Sequence, residues 1–311
     1  MRIILPFLMI FIIGCSNQKK ESGTKTQIKS DLEKYDELIW SGMLHFKDKD
    51  YVNSLSNFQD AFEIKSDENV SDYFYAAASA LNLKKDKIAK ELIITAIKKT
   101  DASENYFDSF DEFNPFREKQ LFAEIKTHYS KYKSDFVNNL KHPKIYNEIK
   151  LLAQRDQKVR TDGSSVEEMQ RIDSLNIKRL IEINKEYGWF DKQWILLWHH
   201  RGIHRDSNYV WNYFRPLINK KIEKGELRKS YWASFDDEKS MFSEDGVQIY
   251  GTYWNNYDQF PIQSIDKVDS LRKSIGLPPL AYMEKVYNVE LPKDYAEKLP
   301  LTMYIKNSVN H

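Results

Sequence analysis

The stretch DKDYVNSLSNFQDAFEIK, Asp48 to Lys65, decides the architecture. Ser54, Phe58 and Ala61 are spaced three and four apart, so they line one face of a helix rather than alternating as in a strand. The segment before it carries Leu38, Gly42 and Phe46 at the same helical spacing. Further along the pattern returns at an offset of 35 residues, with Ala77 and Leu81 followed by Ala89, Ile93 and Ala96. Small residues recur at equivalent places, Gly42 with Ala77 and Ser54 with Ala89. Two antiparallel helices can therefore approach closely while Phe58 and Ile93 fill the groove between them.

This pairing resembles two tetratricopeptide repeats, although the Trp and the closing Pro of the usual pattern are absent. The resemblance implies a unit that binds a peptide or props up a neighbour. Two repeats rarely bury enough surface alone. They are expected to lean on FDEFNPFREKQLFAEIKTHYSKY, Phe110 to Tyr132, whose Phe116, Leu121, Phe122 and Ile125 predict one or two more helices. A first domain is expected over 31–140.

The rest of the chain also reads as helical. It has ten glycines in 311 residues with abundant Lys, Glu, Leu and Ile, and 14% aromatic residues supply material for cores. The length admits two domains. At His142-Pro143 a helix cannot easily continue, because proline lacks a donor and restricts the residue before it. Beyond it Ile145, Ile149, Leu152 and Val159 predict a helix over Lys144 to Arg160, on which Asp156 and Arg160 share a face. Ser165-x-x-Glu168 is a capping box and Gly188 a stop. Between them Met169, Ile172, Leu180 and Ile183 form the buried stripe, with Asp173 and Asn176 at its edge. VQIYGTYW, Val247 to Trp254, suggests a short extended segment or turn. SIDKVDSLRKSIGLPPL predicts a helix from Ile265 or Asp266 to Gly276. The expected fold is mainly α: an antiparallel helical-pair stack, then a separate helical domain over 141–290 with little strand, then a tail over 291–311.

At the N-terminus Met1-Arg2 precedes an apolar run, Ile3 to Ile13, that is too short to span a bilayer and ends in Gly14-Cys15. These are the marks of a secretory signal over residues 1–14, and IIGC resembles a bacterial lipobox. That resemblance implies cleavage before Cys15 and acylation there. Ser16 is not the Asp that commonly retains lipoproteins at the inner membrane, so an outer-membrane protein facing the periplasm is expected. The polar stretch to Ser30 is expected to be a tether reaching roughly 50 Å at about 3.3 Å per residue. Cys15 is the only cysteine, which excludes an intramolecular disulfide. Loss of Arg2 with the leader brings the 47 basic residues level with the 46 acidic ones, and the two signs are interspersed. This argues against nucleic acid as a partner. The partners expected are the membrane, through the lipid, and an envelope protein or peptide.

Several motifs in the second half fall in one order: RDQKVR (Arg155 to Arg160), Asp173 with Asn176, YGWF (Tyr187 to Phe190), His200, KGEL (Lys224 to Leu227), QIYGT (Gln248 to Thr252) and VDSLRKSIGLPPL (Val268 to Leu280). Over about residues 145–285 this order resembles the bacterial domain of unknown function 6624. The chain departs from that pattern at Phe190, where the family usually has Pro, and at His199-His200, where it has a Gln-His pair. The family also tends to have an Asp-Arg pair near Asp237-Glu238. It has no established activity, so the resemblance implies a domain boundary and a choice of residues but no reaction.

ILLWHHRGIHRD, Ile195 to Asp206, holds three of the seven histidines. Were it one helix, His200 and His204 would share a face at the spacing of two metal ligands. Arg201 stands where a zincin has Glu, Gly202 breaks the pair, and no third ligand is near, so no metal is expected. His199, with Trp194 and Trp198, is expected to pack at the domain interface, and His204-Arg205-Asp206 to cap the next helix. His200 belongs to a family motif and is the candidate. A Gly-x-Ser-x-Gly elbow and a glycine-rich phosphate loop are both absent, so no cofactor is expected. What remains is an acid/base set of Asp156, Arg160, His200 and Tyr250, expected to converge on one pocket with His shuttling a proton and Arg holding an anion. Gln157, Asp173, Asn176, Gln248, Thr252 and Arg272 are expected to support it. Two functions stay open: an envelope binding or scaffold protein working through its repeats, which is favoured, and an envelope hydrolase.

Overall fold

The computed structural model describes residues 29–297 and 299–306. The signal-like run, Cys15, most of the tether and residues 307–311 lie outside the described residues. The fold is mainly α. Among the described residues the only β interaction is an isolated parallel bridge between Gln248 and Ile262. No helix among them is long and apolar enough to cross a membrane.

The first hairpin is α1 (Asp31–Lys47) and α2 (Tyr51–Ile64). Ser30 opens α1 with a reciprocal box: its side chain accepts from the Glu33 N–H, and the Glu33 carboxylate accepts from the Ser30 N–H. Gly42 lies against the fully buried Phe58, where an added Cβ would stand 3.3 Å from the ring. The second hairpin, α3 (Val70–Asn82) and α4 (Asp86–Lys99), repeats the packing, with Ala77, Ala89, Ile93 and Ala96 wholly buried. The turns repeat as well: Lys49 (φ 62°) and Lys84 (φ 59°) both take left-handed backbone at the same offset. A hydroxyl pair, Ser54 and Ser79 at 2.9 Å, joins the two hairpins.

The chain from Glu104 to Asn138 extends the stack through α5 (Glu104–Ser109), a 3-10 turn at Asp111–Phe116, α6 (Gln120–Thr127) and α7 (Tyr129–Asn138). Phe107, Phe113 and Phe122 surround the Arg117 guanidinium, which donates to the carbonyls of Phe107 (2.7 Å) and Phe110 (3.2 Å). That aromatic cluster closes the end of the first core.

Pro143 takes the first turn of α8 (Pro143–Thr161), where its missing donor costs nothing. The second core packs α8 with α9 (Val166–Tyr187), α10 (Trp194–Trp198), α11 (Tyr209–Glu223) and α12 (Ala233–Met241) around Ile149, Ile177, Leu180, Leu197, Trp211, Phe214 and Phe235. One conditional reading drops out here and one expectation changes. Ile195 to His204 is not one helix: α10 stops at Trp198 and a separate 3-10 turn covers Arg201–Ile203. The next helix, α13 (Val268–Ser274), starts later than the pattern indicated, because Lys267 N–H closes a turn onto the Ser264 carbonyl at 3.0 Å.

The chain then returns to its beginning. In α14 (Leu280–Tyr287) Tyr282, Met283 and Val286 are buried in the first core, and Leu301, Tyr304 and Ile305 pack against it. Trp40 meets Tyr282 and Tyr304 edge-on, with centroids 6.4 and 5.9 Å away. A second seam is ionic. Arg228 grips Asp36 through Nε (2.8 Å) and Nη2 (2.8 Å) and reaches Glu68 (3.0 Å), while Lys229 pairs with Glu33 at 2.6 Å. Gly225 (φ 70°) makes this approach possible, since a Cβ there would fall 2.7 Å from that of Ser30.

Candidate functional site

The helical phase of α8 puts Asp156 and Arg160 one turn apart, facing α9. Asp156 is 1% exposed. Arg160 distributes its donors among three partners: Nη1 to the Asp156 carbonyl (2.8 Å) and carboxylate (3.2 Å), Nη2 to both oxygens of Asp173 (2.8 Å each), and Nε to Nδ1 of His199 (3.1 Å). Because that nitrogen of His199 accepts, its ring proton lies on Nε2, which faces Asp156 Oδ2 at 3.0 Å. The Gln157 amide donates to the same oxygen at 2.8 Å. Burial alone would raise the Asp156 carboxyl, but His199, Gln157 and Arg160 together hold it below its ordinary value.

The imidazole joined to this network is therefore that of His199, the one expected to be packing. The sequence favours His200 because that residue matches the 6624 motif, whereas His199 follows a Trp-rich apolar run that reads as packing; α10 ends at Trp198, and His199 faces α8. His200 stands beside the cluster. Burial, then the neighbouring His199 and Arg160, push its imidazole below the ordinary value against the opposing pull of Asp173 and Asp156. Among the described residues no group hydrogen-bonds its ring; its carbonyl accepts from the Trp211 indole at 2.8 Å. His204 turns the other way, with Nδ1 on the Arg201 carbonyl (2.8 Å) and Nε2 on Asp236 (2.9 Å). No group of three or more His, Cys, Asp or Glu among the described residues is arranged to hold a metal ion.

Tyr250 belongs to a different network, built on Asp237. That wholly buried carboxylate accepts from the N–H groups of Ile249 (2.7 Å), Tyr250 (2.8 Å) and Thr252 (2.8 Å) and from the Thr252 hydroxyl (2.8 Å). Arg272 holds the other side of the same loop, donating to the carbonyls of Tyr250 (2.8 Å) and Pro278 (2.6 Å). Gln248 bonds its amide to the carbonyl of Phe260 (2.9 Å) and the N–H of Tyr253 (2.9 Å). Burial and then Asp236 and Asp237 raise the Tyr250 phenol. Gln248 and Arg272 thus spend their polar atoms on backbone and Thr252 its hydroxyl on Asp237, which orders a loop of little regular structure. Asn176 is similarly occupied, accepting from Arg155 Nε (3.1 Å) and donating to the Leu152 carbonyl (3.3 Å). Asp237 was missed, although the Asp-Arg pair of the 6624 pattern pointed to its neighbourhood.

Chemically the Asp156 cluster is a closed set. Its guanidinium is committed to two carboxylates and an imidazole, so few donors remain for an anionic substrate. A cleft of about 650 Å³ opens elsewhere, between the two halves, where Lys99, Lys141, Trp189, Trp194 and Arg228 are among its walls. Compared with known proteins, the chain matches no family model, and no curated protein or solved structure is similar to it.

Proposed function

We propose that this chain is a cell-envelope binding or scaffold protein, held at the outer membrane through acylated Cys15 and facing the periplasm, whose helical pairs grip polypeptide. One observation carries the reading. The first core is completed by segments from the far end of the chain: α14 lies across α1, and residues 301–306 seat between α1 and α2. A stack that holds both a 3-10 turn and an α-helix from elsewhere in the chain has the surface chemistry to hold a partner. Cross-linking mass spectrometry on detergent-solubilised envelope tests this. The expected result is one recurring polypeptide cross-linked to residues 31–140, and cross-links with no recurring partner would overturn it.

A second reading, an envelope hydrolase, is favoured by His200, whose lowered imidazole lies beside Asp156, Arg160 and Asp173 without a hydrogen-bonded ring. It requires that His200→Ala abolish turnover of an ester or amide substrate while the melting temperature stays put. Equal loss of folding and activity would count against it.

A further inference from the structure

The seat of residues 301–306 is unlike ordinary packing of a chain end. Ser41, His45 and Asn57 are all buried, and their polar atoms meet on the backbone of one residue, Lys306. Its N–H donates to Ser41 Oγ at 2.7 Å. Its carbonyl oxygen lies 3.3 Å from Ser41 Oγ, 3.0 Å from Asn57 Nδ2 and 3.3 Å from His45 Nε2. Asp50 orients that imidazole from behind, with its carboxylate 3.0 Å from Nδ1. Buried polar groups that converge on backbone recognise a chain without regard to its side chain there, and left unmade such bonds are costly.

Selectivity enters through two neighbours. Glu37 receives the Lys306 ammonium at 2.8 Å, and Trp40 offers its edge to Tyr304, two residues earlier. Before these anchors the occupant is open to solvent at Thr302 and Met303. Met303 is 56% exposed, and the link before it, from Pro292 to Pro300, contains no helix among its described residues. Detaching so short a segment costs far less than opening the stack.

We propose that the seat between α1 and α2 is a peptide-recognition site kept filled by the chain's own Leu301–Lys306, and that it takes in trans a partner segment that forms the same single 3-10 turn, with its aromatic residue two positions before a lysine or arginine. This rests on the binding reading above and names the class of partner. Occupancy in cis makes the site self-inhibited: apparent affinity for a partner is reduced by the fraction of molecules whose seat is open.

The test uses the full mature chain and a capped, fluorescein-labelled peptide LTMYIK. Tyr304→Ala with Lys306→Ala empties the seat, and this variant should bind the peptide about tenfold tighter than the unaltered chain. Adding Glu37→Lys should abolish that binding and restore it for LTMYIE. Equal, absent or charge-indifferent binding overturns the proposal. Should the emptied variant unfold, hydrogen exchange on the unaltered chain decides. Saturating LTMYIK should speed exchange over residues 299–306 while α1 to α4 stay protected, and no change overturns it. If the peptide fails in both assays while a recurring partner still cross-links to residues 31–140, only this site is wrong; absence of any such partner removes the broader reading instead.

Discussion

At Asp72 burial outweighs hydrogen bonding. The Tyr35 hydroxyl donates to its carboxylate at 2.7 Å, yet burial first, and the charge of Asp36 after it, push the carboxyl up to about 6 from an ordinary 3.8. Between those values the folded chain carries more protons than the unfolded one, so this group's contribution is fully present below 3.8 and is lost as pH rises through about 6. Asp72→Asn should therefore flatten the change in melting temperature between pH 4 and pH 7 and raise it at the upper end; an unchanged profile would show that Asp72 titrates normally. Arg160 makes the opposite case, of a charge whose partners need it. Arg160→Ala leaves Asp156 and Asp173 short of their main donor, and by the usual worth of hydrogen bonds to charged groups it should cost about 2–3 kcal/mol in urea denaturation. A smaller loss would mean the cluster is not structural.

Among elements, the turn after α11 is where small changes should matter most. Gly225 combines left-handed backbone with a close approach to Ser30, the residue that caps α1. Gly225→Ala adds strain of about 1–3 kcal/mol before the steric clash is counted. The expected outcome is a lower melting temperature with faster hydrogen exchange at the start of α1, where the displaced cap no longer protects the first turn. Unchanged exchange there would argue that the turn moves freely. The loop of Gln248 to Thr252 works by another device. With almost no secondary structure, it takes its shape from Asp237 on one side and Arg272 on the other.

For the molecule as a whole, the two ends of the described chain are joined. Lys29 pairs with Glu37, which also holds Lys306. The tether proposed for the membrane therefore emerges beside the proposed peptide seat. Cys15→Ala should move the protein from the membrane fraction to the soluble periplasm without altering its melting temperature, as fractionation and calorimetry would show. Retention in the membrane would refute lipid anchoring.

What the sequence by itself determined was local and periodic. The spacing of Leu38, Gly42, Phe46, Ser54, Phe58 and Ala61, and its return at Ala77 to Ala96, define the hairpins because helix contacts three and four residues apart are written directly in the chain. Pro143, Ser165 and Gly188 mark helix ends for reasons equally local. Asp156, Arg160 and Asp173 could be picked out as polar residues beside buried stripes. Tertiary structure alone decided their partners. Whether His199 or His200 turns towards α8 depends on where a five-residue helix stops, and that is set by packing of Trp198 on Phe235 and of Trp211 beneath them. The return of Tyr282, Tyr304 and Lys306 to α1 spans most of the chain. No period or spacing records a contact between residues some 265 positions apart, because such contacts are chosen by the shape and unmet polar groups of a surface that exists only after the helices have packed.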